Sequence, residues 1–291
     1  MNSKCTIVTF YFNLKNLEDT TTSTRSPSFY LENGKHTLQI NNPMVIFCDS
    51  ITKPLIQEIR DKLTDKPTIY IEKNINDYDH YKMNYLTIKE NRSNIGSYQN
   101  NNTRSTASYL LVTSFKIHAL KIAKDRNDFN STHFIWMDFG CGHVVYKPVI
   151  EDVERVLLNP RPKITCLYIH YRSSKFLENM VDAVNNGICG IAGTFFSVEK
   201  SYIDKLYTTF QSIFYEMLSK QIGHNEEQVL TYIYDRYPEL FTLYYGDYYS
   251  TICNYHQTIK DHYAVKEFFI NNALNAGRED LANDALRSLS Y

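Results

Sequence analysis

The stretch His133-Phe134-Ile135-Trp136-Met137-Asp138-Phe139-Gly140-Cys141-Gly142-His143 constrains what this chain can fold into more than any other. Phe134 to Met137 are apolar, Asp138 ends the run, and glycines follow at 140 and 142. A short apolar run closed by turn residues reads as a buried strand that presents one acid at a sharp backbone turn. In an open α/β sheet, ligands sit at the carboxyl ends of strands, so Asp138 is placed to face one. A carboxylate there can hold a divalent cation or simply cap the turn. The residues alone leave both open.

The rest of the chain supplies the elements of such a sheet. Residues 6 to 12 read as a first buried strand, ending at Asn13. A polar loop follows and carries Arg25, a candidate phosphate contact as well as an ordinary solvated arginine. A short helix over residues 28 to 39 leads to a second strand, Pro43-Met-Val-Ile-Phe-Cys-Asp49, which also ends on an acid. Residues 53 to 63 read as a helix with Leu55, Ile59 and Leu63 on one stripe, and residues 68 to 72 as a third strand. This β-α-β-α-β alternation predicts a mostly parallel sheet with helices on both faces. The Asn-rich, polar residues 74 to 105 read as a surface excursion.

Residues 106 to 124 read as a helix, with Lys116 among its apolar positions, feeding the strand that ends at Asp138. A helix near residues 150 to 158 and a strand at 165 to 171 follow. A helix at 175 to 186, with Gly187 as its C′ residue, then leads into the apolar run from Ile188 to Ser197. Glycines inside such a run indicate a bulge, close approach of another segment or tight packing under a helix. A long helix spans residues 198 to 220. Asn225 then opens a helix as its N-cap, and Glu226 and Glu227 in the first turn suit the helix dipole. A final strand from Pro238 ends at Gly246-Asp247. The tail, residues 263 to 289, reads as amphipathic helices with Phe268, Phe269, Leu274, Leu281 and Leu286 facing inward. The division expected is an α/β core over residues 1–258 and a helical appendage over 259–291, which packs on the core or makes a homodimer.

Composition removes several classes. A formal net charge of −1 argues against broad electrostatic binding to nucleic acid. The 6 cysteines are scattered and form no Cys-x-x-Cys pair, which favours reduced thiols over a disulfide framework or a zinc site. No signal peptide or apolar stretch of membrane-spanning length is evident, so a cytoplasmic protein is expected. No Gly-x-Gly-x-x-Gly follows the first strand, and neither a phosphate-binding Gly-x-x-x-x-Gly-Lys loop nor a Gly-x-Ser-x-Gly elbow occurs.

The order of motifs resembles the HtrL/YibB-type family, a group similar to nucleotide-sugar glycosyltransferases of the GT-A fold. The resemblance rests on Thr9-Phe-Tyr-Phe-Asn13, the loop arginine, Ser26-x-x-Phe-Tyr30, Pro43 to Asp49, and above all Phe134-Ile-Trp-Met-Asp-Phe-Gly140. It continues through Gly190-Ile-Ala-Gly-Thr-Phe-Phe196, Glu226-Glu-Gln-Val-Leu230 and Pro238-Glu-Leu-Phe241 to Tyr245-Gly-Asp247. It implies a GT-A-like, Rossmann-like α/β core that moves a sugar from a nucleotide-sugar, UDP-sugar first, to a hydroxyl on a glycan or protein acceptor. It further implies Mn²⁺ or Mg²⁺ on the donor diphosphate, held by Asp138 at a motif where Gly140 stands in place of a second acid. His143, Asp247 or His256 are candidates for completing the ligand set. Asn13, Arg25, Asp49, Lys116, Asp138 and Gly140 are the implied donor contacts, the segment from Gly190 to Thr194 the sugar site, and Glu227 or Glu226 the acid facing the acceptor. A nucleotide- or glycan-binding relative without transfer activity is the alternative, and a two-metal phosphoesterase a more distant one.

Overall fold

The computed structural model describes residues 5–20, 25–94, 105–147, 149–186, 190–223, 225–256 and 262–289. Seven runs rich in β-branched and aromatic residues become strands: β1 (Cys5–Tyr11), β2 (Met44–Cys48), β3 (Thr68–Glu72), β4 (His133–Met137), β5 (Ile164–Tyr168), β6 (Ile191–Glu199) and β7 (Phe241–Tyr245). They form one sheet in the order β3-β2-β1-β4-β6-β5-β7. Every pairing is parallel except those of β6, which runs antiparallel to both β4 and β5. Six strands therefore end on one edge of the sheet, and β6 begins there. The amide of Asp138, just past β4, donates to Thr194 O in β6 at 2.9 Å.

Successive side chains of a strand point to opposite faces, and the core divides accordingly. Val8, Phe47, Phe134 and Trp136 face one layer of helices, while Ile7, Ile46, Ile135 and Met137 face the other. The second face is covered by α1 (Pro27–Leu38), α2 (Thr52–Leu63) and, beyond β4, by the helix Val149–Leu158. The first face is covered by α3 (Asp79–Asn94), α4 (Ala107–Arg126) and, later in the chain, Ile203–Ser219 and Glu226–Arg236. In chain order the helix Val149–Leu158 is α5. The short helices Ser174–Leu177 and Met180–Asn185 are α6 and α7, Ile203–Ser219 is α8 and Glu226–Arg236 is α9. The tail forms a helix over 262–275, α10, and then α11 (Glu279–Ser288). Val265, Phe269, Ile270, Ala273, Ala282 and Ala285 join the first-face core, so the tail packs on the sheet. No helix among the described residues is long and apolar enough to cross a membrane.

The structure corrects the expected helix faces. In α2, Leu55 and Leu63 are exposed, and Thr52, Ile56 and Arg60 turn inward. Arg60 sets that phase. Its buried guanidinium donates to Leu38 O, to Ile40 O at 2.8 Å, to Asn42 O at 2.7 Å and to Thr68 Oγ1 at 3.0 Å. It thereby satisfies the Leu38 carbonyl at the end of α1 and supports two carbonyls of the loop that follows. Residues 79 to 94 are a packed helix rather than a surface excursion. Tyr78, Tyr81, Tyr85 and Ile88 bury themselves there, and the surrounding Asn, Lys and Glu residues are what obscure the pattern. The expected helix over 198–220 begins later, because β6 continues to Glu199 and a 3₁₀ turn precedes α8. In the tail, Phe269 is buried and Leu281 packs on the core, but Phe268, Leu274 and Leu286 are exposed. A π-type segment at Val265–Ile270 widens the helix and shifts the register that a uniform 3.6-residue period predicts. The Asn100–Arg104 run, Gly187 and Ile188-Cys189 lie outside the described residues.

Arg60→Ala removes a buried donor from the Leu38, Ile40 and Asn42 carbonyls at once, and Ile40 O keeps another, the Asn42 amide. It is expected to destabilise the fold by about 2–4 kcal/mol, whereas Leu55→Ala or Leu63→Ala is expected to cost less than about 0.5 kcal/mol. Chemical denaturation of the three variants checks both figures.

Candidate active site

A cavity of about 360 Å³ opens at the carboxyl edge of the sheet. The ends of β1 and β4, the start of β6, the N-terminal turns of α1 and α9 and one face of α4 enclose it. Phe10, Phe12, Val112 and Phe139 give it apolar walls, and Arg25, Lys116, Asp138, His143, Glu226 and Glu227 converge on it.

Lys116 is the centre of the polar wall. Its ammonium has three hydrogens and no lone pair. It meets Asp138 Oδ1 at 2.8 Å, Glu226 Oε1 at 2.5 Å and Gly193 O at 3.0 Å. Trp136, two residues before Asp138 and on the same face of β4, donates its indole N–H to the same Oδ1 at 2.7 Å. Lys116 also lies over the Trp136 ring, 5.6 Å from its centroid. Burial works hardest against the lysine's charge, but the two carboxylates outweigh it and raise its pKa above the ordinary lysine value. Asp138 moves up, because burial outweighs the pull of Lys116. Its side chain is 33% exposed, against 5% for Lys116 and 4% for Glu226. Oδ2 of Asp138 takes no hydrogen bond among the described residues.

Glu226 and Glu227 reach the cavity because α9 starts there. Asn225 caps its first turn, with Gln228 returning the bond to the cap backbone, and the helix dipole favours acids at this end. Glu227 accepts from Gly193 N at 2.8 Å and from the Tyr248 hydroxyl at 2.7 Å. Burial, then the charge of Glu226, raises its pKa above the ordinary carboxylate range. Gly193 makes room for both acids. A Cβ there would lie 2.2 Å from Glu226 Oε1 and 3.1 Å from Glu227 Cγ. Close approach of another segment, here the first turn of α9, is thus what the glycine in the apolar run signals.

The opposite wall is cationic. Arg25 donates to Nε2 of His143, and a guanidinium cannot accept, so that nitrogen carries no proton. Nδ1 of the same ring then donates to Gly140 O. His143 is thereby held as the neutral Nδ1–H tautomer, with Arg25 stacked over Phe29 at 4.7 Å.

The structure gathers Arg25, Lys116, Asp138, Gly140, His143, Glu226 and Glu227 around one cavity. Asn13, Asp49, Asp247 and His256 do not line it, although Asn13 sits between the lining residues Phe12 and Leu14 and Asp247 directly precedes Tyr248. Asn13 caps the turn at Leu14–Asn16. Asp49 accepts from the amides of Ile51 and Thr52 at the start of α2. Asp247 accepts from Ser250 N, capping the turn after β7, and His256 is exposed against Arg155 O. Asp138, Asp247 and His256 therefore do not form one ligand set. Among the described residues no three His, Cys, Asp or Glu side chains group as metal ligands. Sequence reasoning missed Tyr248 and the role of the Trp136 indole. The acid at the end of β7 drew attention, but its neighbour's hydroxyl is what reaches the cavity. Trp136 was legible in principle from the two-residue period of β4.

The chain belongs to the HtrL/YibB family, described as bacterial proteins of unknown function; the family model matches residues 3–256. No curated protein sequence matches it significantly. Solved structures similar to it include the following three, each with a TM-score below 0.5. Mouse xyloside xylosyltransferase 1 in its apo form has a TM-score of 0.48 at 11% identity, over 81% of this chain and 83% of that one. Core-mannan synthase A from Aspergillus fumigatus, in a Mn/GDP form, has a TM-score of 0.49 at 10% identity, over 84% and 72%. The 4-diphosphocytidyl-2C-methyl-D-erythritol synthase from Anaerococcus prevotii has a TM-score of 0.41 at 10% identity, over 94% and 100%.

Removing one member of a buried ion cluster costs about 3–5 kcal/mol, so Lys116→Met is expected to destabilise the chain by that amount near pH 8. In the variant, Asp138 loses the ammonium that offsets its burial, and its folded pKa rises further above the unfolded value of about 3.9. A carboxyl with a raised folded pKa favours the folded state while it is protonated, and that advantage fades as pH rises through the window above about 4. The deficit of Lys116→Met is therefore expected to be smaller at pH 5 than at pH 8, as read by denaturation at the two pH values.

Proposed function

We propose that this chain transfers a sugar from a nucleotide-sugar, UDP-sugar first, to an acceptor hydroxyl, with Glu227 as the base. The observation that carries the reading is Glu227 itself. It is a carboxylate with raised proton affinity, fixed by two donors, in a cavity that also presents an arginine and a half-open aspartate. A general base works best when its pKa is brought toward the working pH and its position is fixed.

The donor set fits a divalent cation that arrives with its diphosphate. Mg²⁺-type ions are commonly held by one or two carboxylates plus substrate phosphates and water. The open oxygen of Asp138 would supply one such ligand, and among the described residues no all-protein cage is assembled. Bound there, Mn²⁺ or Mg²⁺ would neutralise charge on the leaving diphosphate. Arg25, whose guanidinium is steadied by His143 and Phe29, would supply the cation for the diphosphate oxygens. Lys116 has all three hydrogens engaged, so it positions Asp138 and Glu226 rather than touching the donor. Glu226 is buried beneath it and serves the same scaffold. In an inverting reaction the acceptor oxygen bonds to the anomeric carbon as its proton passes to Glu227. The bond from that carbon to the phosphate oxygen breaks, and its electron pair leaves with the diphosphate. In a retaining reaction Glu227 orients the sugar instead.

The test is a thermal-shift titration with UDP, GDP, CMP and dTDP, with and without Mn²⁺, followed by turnover of the matching sugar donor. A ligand at 100 times its Kd stabilises the folded state by about 2.7 kcal/mol. One nucleotide is expected to stabilise the wild type more with Mn²⁺ than without, and Asp138→Asn to lose that increment. Glu227→Gln is expected to keep nucleotide binding and lose about 10²- to 10⁴-fold in turnover. Binding without turnover across many acceptors would turn the reading into a nucleotide- or glycan-binding protein; no binding by any of the four would remove it.

A further inference from the structure

The helix α4 brings more to the cavity than Lys116. Tyr109, Val112 and Thr113 line it as well. Thr113 stands one helical turn before Lys116 and Tyr109 two turns before it, so the three share one face. Lys116 is fully engaged by Asp138, Glu226 and Gly193 O. The other two present hydroxyls.

Those hydroxyls differ in what they offer. Tyr109 packs its ring against the first-face core, while its hydroxyl makes no hydrogen bond among the described residues. A tyrosine hydroxyl drawn out of bulk water ordinarily finds a partner, so one left open on a cavity wall is placed for a ligand. Burial, then the charge of Glu226, raises its proton affinity, and it stays a donor. Lys116, Tyr30 and Glu227 also act on it, and these enclose the cavity from α4, α1 and α9. Thr113 gives its own proton to Leu110 O at 3.0 Å, which leaves its oxygen as an acceptor. A donor and an acceptor one turn apart match the hydroxyls of a sugar ring, each of which both donates and accepts.

The surrounding charge selects the kind of sugar. Asp138, Glu226 and Glu227 stand around this strip against the single ammonium of Lys116, while Arg25 lies on the opposite wall. A phosphate or a uronate beside Tyr109 would meet like charges, whereas an uncharged ring would not.

We propose that Tyr109 and Thr113 read the hydroxyls of the donor sugar, and that this sugar is uncharged rather than a uronic acid. The proposal rests on the transferase reading and directs the diphosphate toward Arg25 and the ring toward α4. The test is calorimetric titration of the wild type, Tyr109→Phe and Thr113→Val with UDP, UDP-glucose, UDP-galactose and UDP-glucuronate, all with Mn²⁺. The quantity compared is each sugar nucleotide's affinity divided by that of UDP. In the wild type, the ratio for at least one neutral donor is expected to exceed that of UDP-glucuronate by about tenfold. Tyr109→Phe keeps the ring and removes a hydroxyl with no protein partner. It is expected to lower the neutral ratio about three- to tenfold, with UDP affinity unchanged within about twofold. Thr113→Val is expected to act in the same direction. Equal ratios for neutral and acidic donors, a neutral ratio unmoved by Tyr109→Phe, or UDP affinity falling in step with it would overturn the proposal and leave the transferase reading standing. Absence of UDP binding, seen before any sugar is added, would remove the UDP-sugar reading and this proposal with it.

Discussion

The ammonium of Lys116 is the interaction on which the candidate site depends. It ties α4 to β4 through Asp138, to β6 through Gly193 O and to α9 through Glu226. A buried charge is tolerated only when paired and fully hydrogen-bonded. Here one lysine meets that condition while holding three elements in register. Asp138 keeps one oxygen open because the other is engaged by Lys116 and Trp136. Glu227 is free to serve as a base because Glu226, beside it in the chain, takes the lysine. Two adjacent glutamates thus acquire different chemistry from different partners rather than from the sequence around them.

The reversal of β6 makes this geometry reachable. Were β6 parallel like its neighbours, its carboxyl end would lie at the cavity. Running antiparallel, it brings its first turns, with Gly193 and Thr194, beside the end of β4. Gly193 contributes a backbone carbonyl to Lys116 and a backbone amide to Glu227, and its missing side chain admits Glu226.

Much of this was legible from the chain. Continuous apolar runs closed by Asn, Asp or Gly located β1, β2 and β4, because strands covered on both faces need little polar alternation. The α/β alternation gave the sheet, and Arg25, Lys116, Asp138, Gly140, Glu226 and Glu227 all reach one cavity. What escaped was set by packing. The face of α2 is chosen by buried Arg60, which no hydrophobic count would turn inward. α3 hides its core contacts in tyrosines among polar neighbours. The tail's faces shift at a π-type segment. Asn13, Asp49 and Asp247 look like site residues in sequence, yet their side chains cap turns. Strand-end acids serve both purposes, and only the local amides decide which.

The most direct measurement is a crystal structure of the wild-type chain with UDP and Mn²⁺. The account predicts the diphosphate inside the cavity, with Arg25 on its oxygens, a metal on Asp138 Oδ2, and Lys116 still joined to Asp138 Oδ1 and Glu226. A nucleotide bound away from this cavity, or a metal held without Asp138, would contradict it.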